Sequence, residues 1–124
     1  MKILFALAGL HRVDRGAEVA FISVASELAR MGDEVTLIGS GPPREGMPYR
    51  FLHAGAAVRE RFERFPRLPT LRSETAWEEA SFVPGLLRRY RPVDYDVTLT
   101  CSYPFTNWAL RRPTLGQRPR HVFV

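Results

Sequence analysis

The chain opens with a continuous apolar run, Lys2-Ile3-Leu4-Phe5-Ala6-Leu7-Ala8. It is far shorter than the roughly 20 residues of a membrane span, and it shows no polar alternation. That is the pattern of a strand buried on both faces of a parallel sheet. Gly9-Leu10-His11-Arg12-Val13-Asp14-Arg15-Gly16 follows, a basic loop with glycine at each end. The period then changes. Ala17, Phe21, Val24, Ala25 and Leu28 recur as one face of a helix over residues 17–31, with Glu27 and Arg30 at more polar positions. Gly32 stands where a helix wants a left-handed C-terminal residue. Asp14 or Arg15 takes the N-cap position; with Arg15 as the cap, Glu18 is the third helical residue, where a carboxylate suits the helix dipole. Glu34-Val35-Thr36-Leu37-Ile38-Gly39 is a second buried strand. The pattern predicts a βαβ unit whose first loop lies at the sheet edge where parallel sheets bind ligands.

Ser40 to Pro48 is a loop by composition, and Tyr49-Arg50-Phe51-Leu52-His53 alternates loosely as a short third strand. Residues 56–65 have helical character that Pro66 and Pro69 end, and Arg59, Arg61, Arg64, Arg67 and Arg72 make this the most basic stretch. Its simplest reading is a solvated loop; the sharper one is an arm that orders on an anionic or lipid-linked acceptor. Residues 74–90 form a second helical region that Pro84 is expected to interrupt, with one helix ending at Ser81 or Phe82 and the next beginning around Pro84. Residues 95–101 give a fourth strand, residues 105–112 a short helix, and residues 120–124 the start of a fifth strand. The expected architecture is α/β, a Rossmann-like parallel sheet in the order 3-2-1-4-5 with helices on both faces.

Composition narrows the picture. The length fits one domain, residues 1–124, and the apolar share of 45% and charged share of 25% are those of an ordinary globular protein. The N-terminal run lacks the small-residue cleavage pattern of a signal peptide, and the single Cys101 suits a reducing cytoplasm. Three scattered histidines and one cysteine offer no metal-ligand spacing, so neither a metal nor another cofactor is expected. The net charge of +5 rests on 17 Arg and one Lys and permits contact with polyanions or an anionic membrane surface. No aromatic-interleaved basic motif or helix-turn-helix pattern supports nucleic-acid recognition. The first loop also lacks Gly-x-Gly-x-x-Gly, the spacing that a dinucleotide-binding module needs to hold a phosphate unaided.

The stretch Arg15-Gly16-Ala17-Glu18, continuing through Glu27-Leu28-Ala29-Arg30-Met31-Gly32-Asp33-Glu34-Val35-Thr36-Leu37, resembles the N-terminal domain of family 4 glycosyltransferases, in which a loop ending Gly-Gly-Ala-Glu leads a helix that ends Leu-Ala-x-x-Gly-His-Glu-Val-Thr. Arg91-Pro92-Val93-Asp94-Tyr95-Asp96-Val97 is similar to that family's Arg-Pro-Asp-Val segment before the fourth strand. Arg15 stands where the family has the first glycine of its pair, and Asp33 where it commonly has His. The resemblance implies a GT-B enzyme of two Rossmann-like domains, retaining, and moving a sugar from a nucleotide-sugar donor to a carbohydrate or lipid-linked acceptor. This chain would be the acceptor-side half, cytoplasmic or peripheral to the inner membrane face, and inactive without a C-terminal donor domain. It ends at Val124, just short of where the family's N-domain histidine follows the fifth strand, so the reading is of the first part of a longer protein.

On that resemblance Gly16 and Arg15 are the candidate donor-phosphate contacts, the first through a backbone N–H at a helix start and the second through a forked guanidinium. His11, Arg12, Ser102 and Tyr103 are the candidate acceptor contacts, and no catalytic residue is assigned. Two other functions fit the same chain: a Rossmann-like module for a different phosphate-bearing ligand, and a basic protein that binds polyanions or a membrane surface.

Overall fold

In the computed structural model, which describes residues 1–55, 74–101, 104–111 and 119–123, alternate side chains of β1 (Lys2–Ala6) and its continuation part to opposite faces of a sheet. Ile3, Phe5 and Leu7 join one buried cluster, and Leu4, Ala6 and Ala8 join the other. This two-sided burial explains the unbroken apolar run. The sheet has five parallel strands in the order β3-β2-β1-β4-β5, as the sequence predicts. The strands are β1, β2 (Glu34–Gly39), β3 (Arg50–His53), β4 (Val97–Thr100) and β5 (Arg120–Phe123). β3 starts one residue later than the alternation suggests, with Tyr49 buried just before it, and β4 is shorter than residues 95–101.

Helix α1 (Gly16–Arg30) covers one face, packing Phe21 and Ala25 on Phe5, Leu37 and their neighbours. Phe5 and Phe21 meet edge to face, centroids 5.3 Å apart. Arg15 is the N-cap in an extended conformation, so Glu18 is the third helical residue. The helix ends as expected: Gly32 has φ +105°, its N–H bonds Ala29 O, and Asp33 N–H bonds Leu28 O. One face position is corrected. Val24 is 49% exposed, whereas Glu18 and Ser26 are buried, so the inward stripe is turned toward Glu18 from the purely apolar one.

The other face is covered by α2 (Glu74–Arg89) and α3 (Pro104–Arg111). The expected break at Pro84 does not occur; α2 runs through it. Pro84 removes one backbone bond, at a typical cost of about 3 kcal/mol. Its ring is exposed, while Phe82, Leu86 and Tyr90 on either side of it are buried against Leu4, Ala6 and Ile38. Burying three such side chains outweighs that cost, at roughly 1.5–3 kcal/mol each. No helix among the described residues is long and apolar enough to cross a membrane.

Candidate functional site

The loop between β1 and α1 lies at the C-terminal edge of the sheet, in the middle of the strand order. It is wound tightly: Leu10 N–H bonds Leu7 O, and Arg12 and Val13 N–H both bond Gly9 O. Glycines make this possible. A Cβ on Gly9 would run into Glu18 Oε1 and lie 2.7 Å from Val13 Cγ2. A Cβ on Gly39, at the end of β2, would be 2.6 Å from Leu10 O, and one on Gly41 would strike the His11 carbonyl and Arg12 N. The loop is therefore pressed onto the β2 terminus, with Ser40 N–H and Oγ bonding Ala8 O and Gly41 N–H bonding Leu10 O.

His11 sits at the crown of this loop with φ +64°, a conformation few non-glycine residues adopt. Its ring is stacked on Phe51, centroids 3.9 Å apart and nearly parallel. Nδ1–H donates to Pro42 O at 2.9 Å, which fixes the tautomer, and Nε2 accepts from Tyr49 Oη at 2.5 Å. Burial lowers the His11 pKa; the Pro42 bond opposes this and Arg44 adds to it. Burial likewise raises that of the Tyr49 phenol, with Arg44 opposing. His11 thus ties the first loop to the loop before β3. Arg12 beside it is exposed.

Arg15 is held from two sides. Its guanidinium bonds both carboxylate oxygens of Glu78 on α2, at 2.9 and 3.2 Å, and lies 3.6 Å from Glu18 Oε1. Glu18 itself is fully buried under Gly9. Gly16 is the contrast: it is exposed, and a Cβ there would meet nothing within 4 Å. Gly16, the first residue of α1, is the open point of an otherwise clamped loop, and the N–H groups of that first turn carry the positive end of the helix dipole.

The next edge loop follows β4, where Ser102 and Tyr103 lie outside the described residues, as does the whole basic stretch from Arg59 to Arg72. The structure does show what frames that loop. Thr98 Oγ1–H donates to His121 Nδ1 at 2.9 Å, His121 Nε2–H donates to Asn107 Oδ1 at 2.6 Å, and Asn107 Nδ2 donates to Cys101 O at 2.9 Å. The chain of bonds joins β4, β5 and α3, and burial, with Arg111 adding, lowers the His121 pKa. Behind it Glu79 of α2 accepts from Thr106 N–H at 2.5 Å and is bonded by the Phe105 N–H, so a buried carboxyl caps the N-terminus of α3. Burial pushes that carboxyl up to about 7, against the opposing pull of its hydrogen bonds.

Gly16, Arg15, Arg12 and His11 are brought together on one loop. Glu78, Glu79, Tyr49, Asn107 and His121 are framework residues that local pattern did not reveal, because each acts on a partner distant in sequence. Trp108 is 59% exposed on α3 and the described residues show no site around it. No curated protein matches the sequence. Residues 15–124 match the family model described as Glycosyltransferase Family 4. That match covers the N-terminal helix motif, all of α2 and the segment before β4, and with it the chain belongs to glycosyltransferase family 4.

Proposed function

We propose that the chain is the acceptor-side, N-terminal domain of a retaining GT-B glycosyltransferase that moves a sugar from a nucleotide-sugar donor to a carbohydrate or lipid-linked acceptor. The observation that carries the reading is the open helix start at Gly16, on a family 4 domain, at the sheet edge where ligands bind. The donor diphosphate would approach the N–H groups of the first turn of α1, with Arg15 beside them. Arg12, with Ser102 and Tyr103 from the next edge loop, would meet the acceptor. His11 would set the loop's shape, since both of its ring nitrogens have internal partners. A second, C-terminal domain would bind the nucleotide and stabilise the departing diphosphate, so the 124 residues alone are expected to be inactive. The working site would be cytoplasmic, with peripheral contact to the inner membrane face where the acceptor is lipid-linked.

The test is Gly16→Val in the two-domain enzyme. A side chain there has room, so the melting temperature should move by no more than a few degrees. The same side chain would stand between a phosphate and the N–H groups, and donor kcat/KM should fall about tenfold or more, the loss of one charge-assisted hydrogen bond. A folded Gly16→Val enzyme with unchanged donor kinetics removes Gly16 from the site.

A further inference from the structure

At the flank of the sheet, beyond β2, the end of β3 and the last turns of α2 enclose a hollow of about 300 Å³, lined by His53, Ala54, Gly55, Gly85, Arg88 and Arg89. We propose that it is an oxyanion site that takes a phosphate monoester group. Three features carry the proposal. Among the described residues the lining holds two guanidinium groups and an imidazole and no carboxylate. Two of these groups are anchored to the strand end: Arg89 Nε donates to His53 O at 3.2 Å, and His53 Nδ1–H donates to Gly41 O at 3.0 Å. Arg89 spends one of its five donors on that anchor, and the anchor holds the guanidinium at the hollow. The walls, finally, are backbone. A Cβ on Gly85 would lie 3.0 Å from Ala54 Cβ and 3.2 Å from Gly55 N, so a side chain at residue 85 would press on the strand end, while a Cβ on Gly55 would meet nothing within 4 Å among the described residues.

The C-terminal dipole of α2 accounts for arginines in its last turn. It does not account for a hollow beside them whose described lining carries no acid and has glycine on both walls. A compact dianion fits the volume and balances the two guanidinium charges. The hollow shares Gly41 with the first loop through the His53 bond, yet it uses none of the residues assigned to donor or acceptor, so it stands apart from the proposed transfer reaction.

The probe is inorganic phosphate, titrated at constant ionic strength into the isotope-labelled full chain while the amides of Ala54, Gly55 and Gly85 are followed by NMR. Saturable shifts at these three are expected. Arg88→Glu, at an exposed position, should weaken them about tenfold or more, and Arg89→Gln should act in the same direction. Neither variant should alter the response of the Gly16 amide to a nucleoside diphosphate; failure of the transfer reading would show there and not in the hollow. Phosphatidylcholine vesicles with and without phosphatidic acid separate the sources. Sedimentation only with phosphatidic acid, competed by phosphate and lost in Arg88→Glu, assigns a lipid headgroup. Phosphate binding without sedimentation assigns a soluble ester. Absence of saturable shifts at the three amides, or shifts indifferent to both arginine substitutions, overturns the proposal.

Discussion

Replacing Glu79 by glutamine should remove a pH dependence of stability that the fold itself creates. Glu79 is almost wholly buried, and its carboxyl is the cap of α3. Its pKa rises from an ordinary 4.5 to about 7. Between those values the folded chain holds a proton that the unfolded chain has lost. Stability from this group is therefore complete below the ordinary carboxylate range, falls as pH rises through the window, and is level above about 7. At about 1.4 kcal/mol per unit, the full shift is an upper bound of about 3 kcal/mol, and relaxation of the surroundings around the buried carboxylate brings the working figure to about 1–2 kcal/mol. His11 and His121 run the other way: burial lowers both, so their contribution is lost as pH falls. They are present in both proteins and cancel in the difference. Urea unfolding of wild type and Glu79→Gln, followed by circular dichroism from pH 5 to about 7.5, should show the variant gaining about 1–2 kcal/mol on the wild type as pH rises. A difference that stays constant across that range would show that the carboxyl is not held neutral by its surroundings.

The close approaches of the first loop give a steric pair: Gly41→Ala, whose Cβ strikes the His11 carbonyl, should cost about 2–4 kcal/mol in chemical denaturation, while Gly16→Ala should change stability by less than about 1 kcal/mol. His11→Ala loses the Phe51 stack and two hydrogen bonds while keeping a positive φ, and a loss of about 2–3 kcal/mol is expected; Tyr49→Phe, which removes one of those bonds, should cost about 1 kcal/mol. Glu78→Gln makes the surroundings of Arg15 one unit more positive, so donor KM in the two-domain enzyme should fall several-fold with a steeper salt dependence, and an unchanged KM would place the donor away from Arg15.

The sheet was legible because its evidence is local. A continuous apolar run at residues 3–8, the strand pattern of residues 34–39, a helical period between them and a glycine at each helix boundary are enough to name a βαβ unit, and the Rossmann-like architecture it implies carries the strand order 3-2-1-4-5. Local evidence failed where tertiary packing outweighed it. Pro84 is a helix breaker by propensity, and the burial of Phe82, Leu86 and Tyr90 carries α2 past it. Val24 matches the apolar stripe, yet the buried position belongs to Glu18, since Gly9 leaves space for a carboxylate and Arg15 lies beside it. The loop residues of the candidate site were legible as a group but not in their individual settings. Nothing near Arg15 in the sequence points to Glu78, 63 positions away, or near His11 to Tyr49, 38 positions away.

Those distant partners change how the first loop should be understood. Where the family motif has a glycine, this chain has Arg15, and its guanidinium is engaged by Glu78 of α2 and lies close to Glu18 of α1. On the opposite side His11 is locked to Pro42 and Tyr49, and Gly39 and Gly41 let the loop backbone rest on the β2 terminus. The loop is thereby fixed to α2, to α1 and to the segment leading into β3, which would leave little conformational entropy to lose on binding the proposed donor. Open space remains at Gly16, where the helix offers N–H groups whose direction is already set. Arg15 and His11 thus hold the helix start still while Gly16 leaves it uncovered, which is the condition under which the proposed backbone contact would stabilise charge without reorganising.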